Sequence, residues 1–223
     1  MDLSESRQIL GLLSREGKQD VRRLWSSADP SWSSDQFRRY VIDGYPDVVL
    51  PYSATAADVG VDLYESYPTT TSGFVAVPGE LPPVARLESS ASWALDNFGE
   101  GGLDLLSNSA VRAIFDGMRS TILTNVGREG GRWSRQPSFR SKCGFCRMLA
   151  TRDNYLSEAS AGFKAHDSCA CMPVPARPGG DIDRPAYIEK WQADYYQIRR
   201  DTGSRNPKII AAEWDRRISS EGT

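Results

Sequence analysis

All four cysteines of this protein and its single histidine fall in one stretch, Cys143 to Cys171. It reads CGFCRMLATRDNYLSEASAGFKAHDSCAC: a CxxC pair, a long loop, then HxxCxC. Thiolates are soft ligands and imidazole a borderline one, and four such groups in a tetrahedron are what zinc prefers. The two-residue gap between Cys143 and Cys146 lets a tight turn point both sulfurs at one ion, and His166 with Cys169 repeats that geometry from the far side of the loop. Cys171 is a fifth candidate, one more than a closed site needs. In an extended segment side chains alternate, so Cys169 and Cys171 would share a face and either could bind. The favoured set is Cys143, Cys146, His166 and Cys169, with Cys171 as a substitute or a neighbouring thiol.

Other chemistries fit the cysteines less well. A redox CxxC calls for a strand-to-helix setting in a βαβ unit, and nothing upstream has that pattern. Two disulfides would suit a secreted chain, whereas this one opens MDLSESRQIL, without a basic and then apolar leader. A reducing compartment is the expectation, and clustered cysteines there point to structural zinc.

The elements that must position the cluster are mainly helical. Apolar residues recur at helical spacing from the N-terminus to about residue 26, then after Asp29-Pro30 as far as Gly44-Tyr45-Pro46. A third helix is expected from Pro51 to before Pro68, a fourth from Val84 to Phe98, and a fifth from Leu103 to Val126, closed by Gly127. Thr69 to Pro83 breaks the rhythm and reads as an extended or looped crossing. Gly127 to Lys142 is a basic connector. Tyr155-Leu156 is expected to pair as a short strand with Met172-Pro173-Val174, and Pro173 to Gly180 to act as a linker. Two helices, after Pro185 and after Pro207, close the chain. The expected organisation is a mainly α fold: a helical N-terminal domain over residues 1–127, a zinc-stapled loop and hairpin module over 128–180, and a C-terminal helical tail over 181–223.

The 223 residues carry a net charge of −2, 39% hydrophobic residues and a mean hydropathy of −0.47. That balance suits a chain with a buried core, and no apolar run approaches the roughly 18 residues of a membrane span. Charge is uneven. Arg128, Arg132, Arg135, Arg140, Lys142, Arg147 and Arg152 face Glu129 alone, a rim that fits phosphate, as in non-specific DNA binding, or an acidic protein partner. The same residues also suit a solvated face around a metal knuckle.

Catalytic constellations are sparse. A single histidine held by metal leaves no base for a Ser-His or Cys-His pair. A P-loop, GxSxG, HExxH and the zinc-deaminase signature are all missing. Asp153, Glu158 and Asp167 flank the loop and could orient ligands, although surface charge is the simpler role.

The stretch from Arg132 to Pro175 resembles the MuF-like minor head proteins of tailed phages, especially those of actinobacterial phages. The resemblance rests on Cys143-Gly144-Phe145-Cys146-Arg147-Met148-Leu149-Ala150-Thr151-Arg152, on Tyr155, and on His166 through Pro175. An early Leu24-Trp25 and the Asn125-to-Arg128 element agree with it. It implies a structural minor capsid protein inside the head near the portal, assisting assembly and DNA packaging or ejection. Its implied partners are the portal, other head proteins and non-specific DNA, with no membrane and no small-molecule substrate. Its implied location is the virion interior, and the host cytoplasm during assembly. Some relatives carry a maturation protease, so a capsid protease or a zinc-containing nuclease is the alternative; the residues here favour no enzyme.

Overall fold

The computed structural model describes residues 1–98, 101–138, 141–151, 165–182 and 184–221. Seven helices and one two-stranded sheet make up its regular structure, so the protein is mainly α, as its periodicity implies.

Helix α1 (Leu3–Ser26) starts at Asp2, whose carboxylate accepts the Glu5 N–H at 2.7 Å. Helix α2 (Ser34–Ser66) starts at a reciprocal cap: Ser33 Oγ accepts the Gln36 N–H, and Gln36 Oε1 accepts the Ser33 N–H. The two helices expected on either side of Pro46 and Pro51 are in fact this one element. Each internal proline removes a hydrogen bond and costs about 3 kcal/mol. The helix stays whole because it packs along most of its length against its neighbours. Gly44 is likewise a contact and not a stop: a Cβ there would meet Leu24 of α1 at 2.8 Å.

Helix α3 (Val84–Phe98) and helix α4 (Gly102–Glu129) complete a bundle of four helices, one fewer than expected. Three hydroxyls of α2 reach carbonyls of α4 in ascending order: Tyr45 to Leu106, Ser53 to Ala113 and Tyr64 to Asn125. That order makes the two helices run parallel. They touch closely at Gly117, where a Cβ would collide with the Ser53 carbonyl oxygen. The parallel course requires a long return, and the extended strap over residues 69–83 supplies it together with α3, whose last turn reaches Arg38 near the start of α2. The strap's backbone is tied down by side chains: Asn125 exchanges two hydrogen bonds with Val77, and the Gly79 N–H donates to Thr121 Oγ1 at 2.9 Å. α4 runs past Gly127 and ends at Gly130, in the left-handed conformation at φ 77°.

The basic connector is a strand, β1 (Arg132–Gln136), antiparallel to β2 (Met172–Ala176). Pro173 and Pro175 are therefore strand residues and not the start of a linker. They pair with Arg135 and Trp133; lacking an N–H, they must occupy the non-hydrogen-bonded positions of the ladder. Their missing donors also blunt the outer edge of β2. The strand expected at Tyr155-Leu156 lies outside the described residues. Trp133 and Met172 join the apolar core of the bundle, which is how the ribbon is anchored.

Helix α5 (Gly144–Ala150), helix α6 (Ala186–Thr202) and helix α7 (Pro207–Glu221) share a second core of Met148, Ala150, Ile188, Trp191, Ile198, Ile210 and Trp214. Among the described residues no helix is long and apolar enough to cross a membrane.

Candidate metal centre

Two turns bring the cysteines and the histidine together. Cys143 is the N-cap of α5, and its sulfur accepts the Cys146 N–H at 3.3 Å. The start of α5 is fixed from outside, because Asp215 of α7 accepts the Gly144 N–H at 2.6 Å. The second turn closes when the Cys169 N–H reaches the His166 carbonyl at 3.1 Å, with Ser168 between them at φ 59°. His166 Nδ1 donates to the Asp167 carbonyl at 2.8 Å. That bond sets the ring so that Nε2 faces the sulfurs.

Nε2 lies 3.1 Å from Cys143 Sγ and 3.6 Å from Cys146 Sγ, and Cys146 Sγ lies 3.8 Å from Cys169 Sγ. A tetrahedral ion with sulfur at about 2.3 Å and nitrogen at about 2.0 Å sets S–S edges of roughly 3.8 Å and S–N edges of roughly 3.5 Å. The Cys146–His166 and Cys146–Cys169 distances match those edges, and the Cys143–His166 distance is shorter. They form two triads that meet at Cys146: Cys143, Cys146 and His166 on one side, Cys146, Cys169 and Cys171 on the other. Both groups could hold a metal ion, and all five sequence-derived ligands belong to one or the other.

Protons are shared unevenly among these groups. The Cys143 thiol is lowered to about 5, first by its hydrogen bond with Cys146 and then by His166, against the opposing effect of burial. His166 is raised to about 9, chiefly by its bond with Cys143. Cys169 is pushed down by its bonds with Cys146 and Cys171, with Arg119 adding to the effect, whereas Cys146 is pushed up by its three thiol neighbours. Cys171 is raised to about 12: its bond with Cys146 lowers it, and Cys169 and burial outweigh that. A cluster that already favours thiolate at two positions is one from which a cation can displace the remaining protons.

The bundle grips the CxC segment through its backbone. Arg119 of α4, 2% exposed, donates to the carbonyls of Cys169 and Cys171. Arg7 of α1 donates to the carbonyls of Ala170 and Gln136. Arg112 pairs with Asp167 at 3.0 Å, and the Ser168 N–H donates to the Asn108 carbonyl. Three successive carbonyls, those of Cys169, Ala170 and Cys171, are thus held by guanidinium groups. None of these three arginines lies in the ligand motif. One signal was readable: Arg119 interrupts the apolar stripe Ile114–Met118–Ile122 three residues after Asp116, its ion-pair partner at 2.9 Å.

The basic rim is dispersed. Arg135 is 2% exposed, and Arg128 bonds to Val75 and Asn125 while lying over the Phe74 ring. Arg147 stacks on Trp191 and donates to the Ser141 carbonyl. Arg132 is half-buried, Lys142 is exposed beside the thiols, and Arg140 and Arg152 lie outside the described residues, as do Asp153 and Glu158. Asp167 meets Arg112 through its carboxylate and the histidine through its carbonyl.

A family model described as VG15 protein matches residues 1–198, spanning the bundle, the ribbon, the thiol cluster and most of α6. No curated protein and no solved structure matches the chain significantly.

Proposed function

The chain belongs to the VG15 protein family, a viral family of phage proteins, and from that premise we propose that it is a structural minor capsid protein of a tailed phage. It acts inside the head near the portal, assisting head assembly and DNA packaging or ejection. Its partners are the portal, other head proteins and DNA contacted without sequence preference. The cofactor is one structural zinc held in the Cys/His cluster, and the role is not catalytic.

The observation that supports this reading is the fusion of a CxxC…HxxCxC cluster to a helical bundle within a single match to a family of phage proteins. Zinc there staples a loop-rich segment, since the free energy of metal binding becomes folding free energy. The one histidine supports a structural role: its Nε2 faces two sulfurs and is engaged, not poised as a base.

Quantitative mass spectrometry of purified virions, compared with host lysate and with heads lacking the portal, tests the assignment. The chain should co-purify with full heads at low copy number and drop out of portal-less ones. Exclusion from purified virions would overturn the capsid reading. Cleavage of capsid precursor or of DNA by the pure protein would replace it with the enzymatic alternative.

A further inference from the structure

The turn between α6 and α7 gathers four cations, of which Arg199 lies over the Tyr195 ring. Arg199 and Arg200 end α6, Gly203 caps it in the left-handed conformation at φ 62°, and Arg205 and Lys208 follow across the turn. Asn206 Oδ1 accepts the Lys208 N–H at 2.9 Å and fixes the start of α7. Arg200, Arg205 and Lys208 are exposed. Tyr196, 48% exposed, lies one turn before Arg199 and Arg200 on the same helical face.

The acids of this hairpin are already spoken for. Asp201 is held by Arg217 at 2.6 Å, and Glu213 by both Arg216 and Arg217. Asp215 caps α5 through the Gly144 N–H. Asp194 is about 9 Å up the helix axis from Arg200. Among the described residues neither Arg205 nor Lys208 makes an ion pair, and Arg200 bonds only to the neutral Gln197 side chain. In a chain of net charge −2 this is a local excess of positive charge. It contrasts with the rim around the thiols, where Arg128, Arg135 and Arg147 are engaged in the fold's own contacts.

We infer that the α6–α7 turn, through Arg200, Arg205 and Lys208 with Tyr196 beside them, is the surface that contacts the phosphate backbone of duplex DNA. Guanidinium and ammonium groups neutralise phosphates and release counterions, and the phenol O–H can donate to a phosphate oxygen. The side chains on offer are exposed cations, which neutralise phosphates whatever the bases, so the contact is to backbone and independent of sequence. The inference rests on the virion reading for the DNA's presence. Binding in vitro can fail without touching that reading, which virion composition decides separately.

The test is fluorescence anisotropy of the full-length protein with two labelled duplexes of unrelated sequence, between about 50 and 200 mM salt. The parent should bind both equally. The triple variant R200E/R205E/K208E should bind at least about tenfold more weakly, with a slope of log K against log salt flatter by roughly 2.7. The rim variant R132E/K142E should bind like the parent. Circular dichroism and metal content report folding, and glutamine at the same three positions serves if the charge reversal does not fold. Parent-like binding by the hairpin variant, an equal loss in the rim variant, or no parental binding at the lower salt would each overturn the inference. The last outcome would leave an acidic protein surface as the partner for these cations.

Discussion

The four-helix bundle and the Cys/His module are held together by different materials. The bundle buries a continuous apolar core and brings α2 and α4 close enough for hydroxyls to reach carbonyls across the interface. Among the described residues the module has few apolar side chains around the thiols, chiefly Phe145 and Ala165 beside the cysteines themselves. It relies on arginines from the bundle, on the α7 carboxylate at α5, and on soft donors converging on Cys146. A core made of apolar contacts loses stability in increments as single residues change. A core made of ligands loses it all at once when the shared donor is removed.

Cys146→Ser should therefore have the largest effect of any single change. Cys146 is common to both triads, and a structural zinc site contributes on the order of 10 kcal/mol to folding. The expected outcome is loss of bound zinc, proteolytic opening around α5 and the His166–Cys171 turn, and a bundle that stays helical. Elemental analysis with limited proteolysis reads this directly, and a strong chelator should reproduce it on the parent. A variant that keeps about one zinc per chain would show that Cys146 is not the hub. Global unfolding would show instead that the two regions are one cooperative unit.

The junction between the regions predicts the next effect. Glu129 at the end of α4 is fully buried, and Arg177, just beyond β2, holds it with two bonds of 2.8 and 3.0 Å. Tyr64 and Thr69 donate to the same carboxylate. Burial alone would raise the Glu129 carboxyl; the bonds from Arg177, Tyr64 and Thr69 outweigh it and hold the group below its ordinary 4.5. A depressed carboxyl contributes stability that is complete above the unfolded value and drains away as pH falls through the folded one. The parent should thus lose stability progressively below about pH 4.5, and Glu129→Gln should lack that part of the acid limb. At neutral pH the substitution strands a buried guanidinium, costing roughly 3 kcal/mol, or about 10 °C in Tm. Equal acid limbs in thermal melts of parent and variant would remove Glu129 from the account.

The same contrast explains what the sequence made legible. Helical periodicity located α1, α3, α4, α6 and α7, because one face of each meets an apolar core. It failed at α2, where Gly44, Pro46 and Pro51 read as punctuation; only packing against three neighbouring helices tells a kept proline from a stop. The ribbon was hidden for a related reason. Trp133-Ser134-Arg135 looked like a basic connector and Pro173-Val174-Pro175 like a linker, yet each is buried by the other and by α4. Ligand types and spacing announced the thiol cluster, since metal chemistry is written in residue identity. Apart from Arg119, its supports were not announced: Arg7 and Asp215 act on backbone groups more than twenty residues away, and no local pattern marks such contacts.

The smallest predicted effect concerns the surplus donor. Cys169 and Cys171 are both buried and share the triad with Cys146. Cys169 sits 3.8 Å from Cys146 Sγ, an edge length that fits a shared tetrahedral ion, and the neighbouring Arg119 favours its thiolate. Cys171 is raised to about 12 and so keeps its proton beside a thiolate neighbour. Cys171→Ser should then retain zinc and cost only about 1 to 2 kcal/mol, the burial of a hydroxyl at a non-ligand position. Cys169→Ser should lose zinc as Cys146→Ser does. The reverse ranking would make Cys171 the fourth ligand and leave the Arg119 clamp holding the turn rather than tuning the donor.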